Sequence, residues 1–306
     1  FHSYDCCARQ YWRSRALCSY ENTIVLIGFG NYGRCILERA ILTNIISVDQ
    51  HVAYHIFGDA KKFLAMHSHL DEMFSLGEES EERDSLIFHD GLWESCHTLL
   101  ERADRIIICP DDEPEGWNIF WRLNQFYKIH GQIHLHSNRK APGVCYFGTN
   151  EEIYTPNQIM RTELNRAAIT INEIFCKSVS YPTLNWDELD DFHRESKITA
   201  ADHLLMKIRI LLKDETITDF TAETVERAYK KYCETKRDES VQDMYRRLDH
   251  LRWLRFYTFY NWSYGQERND DERVHPMLCP YAELTAEQRK ERDAAWELLG
   301  SFSSEL

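Results

Sequence analysis

Thr23-Ile-Val-Leu-Ile-Gly28-Phe-Gly30-Asn31-Tyr32-Gly33 is the stretch on which the fold turns. An apolar, β-branched run feeds Gly-x-Gly-x-x-Gly, and a helical pattern continues from Tyr32 to Leu42. Strand, glycine turn and helix in that order are what a dinucleotide-binding turn requires. Gly28 permits the tight turn, Gly30 lets a pyrophosphate approach the backbone, and Gly33 lets helix and strand pack closely. The amides at the helix start, at Asn31 and Tyr32, then face an anion.

Outward from this turn, strand patterns alternate with helical ones. The strands are expected at Thr23–Ile27, Val52–Phe57, Ser85–His89, Arg105–Cys109, Gln132–His136 and Val144–Phe147. Helices are expected at 32–42, 60–74, 93–102 and 115–129. Such alternation predicts a parallel sheet with helices on its faces. With the glycine turn, residues 22–155 resemble the Rossmann-type nucleotide-binding domain of Trk-type potassium regulators, the RCK domains. That resemblance implies NAD(H) or another adenine nucleotide as cofactor.

Asp59 lies 26 residues after Gly33 (59 − 33), at the end of the second strand, where a carboxylate accepts from a ribose diol. Gly58 separates it from that strand, so a helix cap at Ala60 is the alternative, and Asp49 is the second candidate if Ile45–Val48 is a strand. Asp111, with Asp112, Glu113 and Glu115, follows the fourth strand at the ligand edge of such a sheet. The competing reading is a helix start, where the macrodipole favours negative charge. His134 and His136 share one strand face near His130, but a metal site needs a further fixed ligand, and no metal is expected. No Walker loop, His-Glu-x-x-His or nucleophile elbow is present, and the reading leans away from an enzyme.

A chain of 306 residues suits two domains. Its net charge of −14 argues against nucleic acid as the main partner, since phosphate neutralisation needs clustered Lys and Arg. No run nears the ~20 apolar residues of a membrane span. Ten cysteines without a Cys-x-x-Cys pair read as reduced cytoplasmic thiols. The chain begins at Phe1 and not Met, as a piece cut from a longer protein would. Residues 1–21 mix Arg9, Arg13 and Arg15 with Tyr11, Trp12 and Tyr20. That suits a juxtamembrane linker, with a membrane segment upstream of Phe1. The alternative is a surface helix packed on the next domain.

Past a connecting helix over 157–177, Tyr181-Pro182 marks a boundary beyond which only helical patterns appear: 186–195, 200–213, 221–236, 240–260 and 286–299. Thr285-Ala-Glu-Gln288 is a capping box, and Gly300 is the expected left-handed stop. Three segments stand out here: Leu248-Asp249-His250-Leu251-Arg252-Trp253, Trp262-Ser-Tyr264-Gly265, and His275-Pro276-Met-Leu-Cys-Pro280-Tyr281-Ala-Glu-Leu284. Together they resemble the ryanodine receptor repeat domain over residues 183–303. The resemblance implies ligand binding and not a reaction, and bacterial copies often accompany nucleotide-signalling and antiphage defence genes.

The candidate ligand residues are Asp202, His203, His250, Arg252, Trp253, Trp262, Tyr264, His275 and Tyr281. Aromatic rings suit a base, Arg252 a phosphate, and the histidines with Asp202 hydroxyl groups. The plain alternative is that the aromatics form the core of the small domain.

The expected fold is α/β plus all-α. A linker (1–21) leads into a Rossmann-type parallel-sheet domain (22–155), a connecting helix (156–181) and a small helical ryanodine receptor repeat domain (182–306). The expected function is a nucleotide-type ligand sensor, homo-oligomeric through the connecting helix and switching an output. An NAD(P)-dependent or nucleotide-processing enzyme and a ligand-free scaffold stand as alternatives.

Overall fold

Ile24, Val25, Leu26 and Ile27 are all buried because β1 (Thr23–Ile27) is an inner strand, covered on both faces. The computed structural model describes residues 2–76, 84–156, 159, 163–178 and 183–303. The sheet's other strands are β2 (Ala53–Phe57), β3 (Ser85–His89), β4 (Arg105–Ile108), β5 (Gln132–His136) and β6 (Cys145–Phe147). All neighbours pair in parallel, in the order β3-β2-β1-β4-β5-β6. The order reverses between β1 and β4. A doubly wound sheet opens its crevice there, beyond the strands' carboxyl ends.

Helices α1 (Ser3–Ser14), α2 (Asn31–Thr43), α3 (Lys61–Met66), α4 (Leu70–Leu76), α5 (His97–Arg102), α6 (Glu113–Phe126) and α7 (Asn150–Ile153) accompany the strands in sequence. Beyond them come α8 (Arg166–Ser178), α9 (Asp191–Leu212), α10 (Ala222–Thr235), α11 (Glu239–Phe259), α12 (Ala286–Glu291) and α13 (Ala294–Ser303). The chain divides into two units. The first comprises Phe1–Ala40, Asp49–Ser68 and Ser80–Arg161, the second Ile41–Val48, His69–Glu79 and Thr162–Leu306.

Within the first unit α1 is part of the packed structure. Tyr11 and Trp12 are buried, the Tyr11 hydroxyl donates to His134 Nδ1 at 2.6 Å, and Trp12 Nε1 donates to the Ile36 carbonyl. Arg105 closes a fork on Glu21, at 2.6 and 2.7 Å, and donates to the carbonyls of Arg15 and Ala16. Burial favours the neutral Tyr11, and the fork geometry satisfies a guanidinium that would otherwise be costly to bury.

The second unit is helical. Its core joins Leu204, Ile208 and Leu211 of α9 to Val225 and Ala228 of α10, Leu248 and Leu251 of α11, and Trp296, Leu299 and Phe302 of α13. Ile45, far upstream in sequence, belongs to the same core, and the Nε2–H of the fully buried His203 donates to the Ile45 carbonyl at 2.8 Å.

Several local expectations change. The stretches 186–195 and 200–213 form one helix, α9, preceded by a short turn at Trp186–Glu188. Asp190 caps it, no breaker interrupts it, and Lys213 ends it in the left-handed region at φ 52°. The 60–74 stretch divides into α3 and α4, and the 93–102 stretch into a single turn at Trp93–Ser95 and α5. The 286–299 stretch is also broken, into α12 and α13. Its capping box is present: Gln288 N donates to Thr285 Oγ1, and Thr285 N to Gln288 Oε1.

Gly300 does not stop the last helix, which runs on to Ser303. A Cβ there would lie 2.6 Å from Tyr229 Cζ, so close approach of a ring is what asks for glycine. Residues 45–48 are not a strand, and Asp49 stands in an exposed turn. On α11 Tyr245 lies in the core, whereas Met244 is exposed. Ser263–Tyr264 and Val274–His275 form a two-residue ladder where only helices were expected. Most of the expected connecting helix before residue 163, and the Tyr181-Pro182 boundary, lie outside the described residues.

Candidate functional sites

The glycine turn forms as its spacing predicts. Gly28 has φ +97°, and a Cβ there would collide with the backbone of Pro110, just past β4. A Cβ on Gly33 would strike the Gly28 carbonyl, so helix and strand touch closely. Gly30 is different. Its bare Cα faces the Asp111 carboxylate, whose atoms would lie 2.5–2.6 Å from a Cβ. That carboxylate accepts from Asn31 N at 2.9 and 3.1 Å, from Asn31 Nδ2 at 3.1 Å and from Tyr32 N at 3.4 Å. The start of α2 therefore already holds an anion, supplied by the chain itself.

Around this turn, Phe29 packs against Phe63 on α3 and Phe88 near the end of β3. Gly58, at φ +146°, allows that approach, because a Cβ would lie 2.6 Å from Phe29 Cβ. Asp59 is exposed and accepts from Lys61 N at 3.1 Å, beside the start of α3. Asp112 caps α6 by accepting from Glu115 N, and Glu113 accepts from Ser137 Oγ and Arg139 N. These bonds hold the Glu113 carboxyl below its ordinary pKa despite the opposing effect of burial. His136 is 7 % exposed, its ring is 3.8 Å from that of Tyr32, and among the described residues neither ring nitrogen has a hydrogen-bond partner. Burial keeps it neutral, with its pKa lowered to about 4. Among the described residues no cluster of three or more His, Cys, Asp or Glu side chains is arranged to hold a metal.

The second site is built from α9, α11 and the segments that follow. Lys207 Nζ donates to Asp249 Oδ1 at 2.9 Å and to the Ala295 carbonyl at 3.0 Å. Arg252 Nε reaches the same Oδ1 at 3.4 Å. Arg292, half-buried and 4.0 Å from the exposed Glu291 carboxylate, adds its field, and among the described residues its buried Nε has no hydrogen-bond partner. Thus two buried cations, Lys207 and Arg252, share one carboxylate, with the half-buried Arg292 beside them. Burial pushes the Asp249 carboxyl up, yet Lys207, Arg252 and Arg292 outweigh it and hold it well below the usual range. Burial, with Arg252 and Arg292 opposing the pull of Asp249, brings Lys207 down to about 8.

Aromatic rings border this cluster. The Arg292 guanidinium lies 5.0 Å from the Trp253 ring centre. Trp253 is half-buried and meets Tyr257 at 4.4 Å and His275 at 4.9 Å. His275 Nδ1 accepts from Met277 N at 3.1 Å, which places its proton on Nε2. Burial, then Arg268 and Arg292, lower His275 to about 4, so it is a neutral donor at pH 7. An open cavity of about 790 Å³ follows the adjoining loop, lined by Gly265, Gln266, Arg268, Asn269, Asp270 and Val274 among others.

Of the nine residues singled out in this half, the structure gathers Arg252, Trp253 and His275. His250 contacts Trp253 on a more buried side, its Nε2–H donating to the Cys279 carbonyl at 2.9 Å. Tyr281 is buried against His250 and donates to Asp243 Oδ1 at 2.7 Å. Trp262 is a core residue stacked on Phe192. His203 is bound to Ile45, Asp202 is half-buried on α9, and Tyr264 is exposed, paired in the ladder with His275. Asp249 stood within the quoted segment but was not singled out as a ligand residue, and Tyr257 lies one turn beyond it on the expected helix 240–260. Arg292 carried no local signal.

No curated protein matches this chain. Among the described residues no helix is long and apolar enough to cross a membrane. The stretch 234–303, which contains Asp249, Arg252, Trp253, His275 and Arg292 but not Lys207, matches the RyR domain family.

Proposed function

We propose that this chain is a nucleotide-sensing regulatory protein, and that its helical unit takes a phosphate-bearing ligand with a ring system. The observation that carries the reading is the excess of positive charge: buried Lys207 and Arg252, with half-buried Arg292, around the one buried carboxylate of Asp249, while the exposed Glu291 meets Arg292 only at 4.0 Å. An uncompensated buried ion costs several kcal/mol. A phosphate relieves that cost, and guanidinium forks suit its oxygens. Trp253 and Tyr257 supply ring surface beside the cations, and the Nε2–H of His275 supplies a directed donor.

The RCK-like resemblance of the sheet unit supports a regulatory role for it, with NAD(H) or another adenine nucleotide as its ligand class. Output through a membrane segment upstream of Phe1, or in a defence signalling setting, belongs to the same reading. So does assembly into at least a dimer, with α8 in the interface.

The test uses the full chain and a panel of ATP, NAD, ADP-ribose and cyclic dinucleotides. At least one raises the melting temperature of the wild type, as any ligand specific for the native state must. Arg252→Met loses that shift. Its unliganded melting temperature does not fall, because the substitution removes one of three like charges. A shift that survives in the variant takes Arg252 out of the site. If no nucleotide shifts the wild type, the reading fails. Sedimentation with and without the active nucleotide decides the dimer.

A further inference from the structure

We propose that Asp111 is an internal competitor for the phosphate seat of the glycine turn. Its carboxylate holds the amides that a phosphoanion would take, so the turn admits a phosphate-bearing ligand only once that side chain swings out. The inference rests on the proposed adenine-nucleotide reading of the sheet unit and not on the helical unit's ligand.

Three observations carry it. First, the backbone amides of Asn31 and Tyr32 donate to Asp111, 80 and 79 residues away, as does Asn31 Nδ2. Those amides are the oriented donors a helix start offers to an anion. Second, the space that Gly30 leaves open is filled by the same carboxylate, within 2.6 Å of where a Cβ would stand. A phosphate and this carboxylate cannot occupy it together, and like charges at that separation repel. Third, His136 faces Tyr32 of this helix start with both ring nitrogens lacking a hydrogen-bond partner among the described residues, although it is 7 % exposed. A neutral imidazole there offers one donor and one acceptor that no described protein group uses.

Asp111 itself is exposed, so it can leave the seat without opening a hole in the core. The crevice at the β1/β4 reversal therefore has two states. In one the seat is closed by the chain's own carboxylate. In the other it is open to the phosphates of a ligand such as ADP-ribose.

The experiment is calorimetric titration of the intact chain with ADP-ribose. Asp111→Ala empties the seat and binds at least about tenfold tighter than the wild type, the gain expected from removing a competing charge at contact distance. Asp90→Asn removes an equal charge at the same sheet edge, after β3, and leaves the affinity unchanged. Adding Gly30→Val to Asp111→Ala abolishes the gain, because the new side chain fills the seat. ADP-ribose bound by the helical unit is common to all four proteins and cancels from the comparison. The proposal is overturned if Asp111→Ala binds no tighter than the wild type, or if Asp90→Asn gains equally. It is overturned as well if the gain persists with Gly30→Val, or if no protein binds ADP-ribose at all.

Discussion

Lys207 shows most directly how the buried charges couple to solution conditions. Its native pKa of about 8 lies below the ordinary 10.5, because burial and the neighbouring Arg252 and Arg292 oppose its charge. Between those values the unfolded chain binds a proton that the native chain does not, so this group makes stability rise with pH from about 8 to 10.5. Below about 8 both states are protonated and its contribution is flat. An anion bound beside it raises its pKa again. Nucleotide binding near pH 8.5 should therefore take up a proton, and binding near pH 6.5 should take up none from this group. Calorimetry in two buffers of different ionisation enthalpy reads the difference, and equal heats at pH 8.5 would detach Lys207 from the ligand. Arg252, Trp253 and His275 stood out in the sequence as candidates because short motifs carry them. Arg292 was not, since only the chain's return beside α11 brings it to Asp249.

At the scale of elements, turn and cap chemistry was readable and helix ends were less so. The Thr285 capping box appears as spelled in the sequence, but Gly300 does not end the helix it was expected to end. A glycine near a helix terminus reads as a stop only if nothing crowds its Cα, and here the ring of Tyr229 does. Gly300→Ala gains about 1 kcal/mol of helix propensity. Crowding against Tyr229 outweighs that gain, by the roughly 1–3 kcal/mol typical of overpacking. We expect net destabilisation in urea unfolding. In a Tyr229→Leu background the same substitution becomes neutral or stabilising. A left-handed stop would instead keep its penalty in both backgrounds. The merging of two helical stretches into α9 is a matter of helix ends as well: the expected stretches left 196–199 between them, and no residue there prevents helical backbone.

At the scale of the whole chain, the helical unit is not a contiguous piece of sequence. Ile45, 2 % exposed, lies in its core, and His203 donates to that residue's carbonyl 158 positions away. Cutting the chain before Thr162 removes both. Losing burial of one large aliphatic side chain costs about 1.5–3 kcal/mol. Stranding a buried donor costs a further ~1–3 kcal/mol. The excised segment 162–306 should therefore unfold at lower urea than the same unit in the full chain, followed by the fluorescence of its buried tryptophans Trp262 and Trp296. Equal midpoints would show that the upstream segment adds nothing.

What the sequence determined by itself is the local grammar. The apolar strands, the glycine turn, the six-strand parallel sheet and the helical character of the second half all rest on patterns within a few residues of one another. Periodicity and φ preference act at that range. The likeness of residues 234–303 to the RyR domain family was readable for the same reason, since its motifs are short and contiguous. Tertiary structure alone decided which groups meet. It set Asp111 on the amides at the start of α2, brought Arg292 to Asp249, and gave the helical core an isoleucine from before the second strand. Those contacts join positions far apart in sequence, so no local pattern announces them, and the cost of leaving a buried charge or donor unpaired is settled only where the folded chain brings a partner.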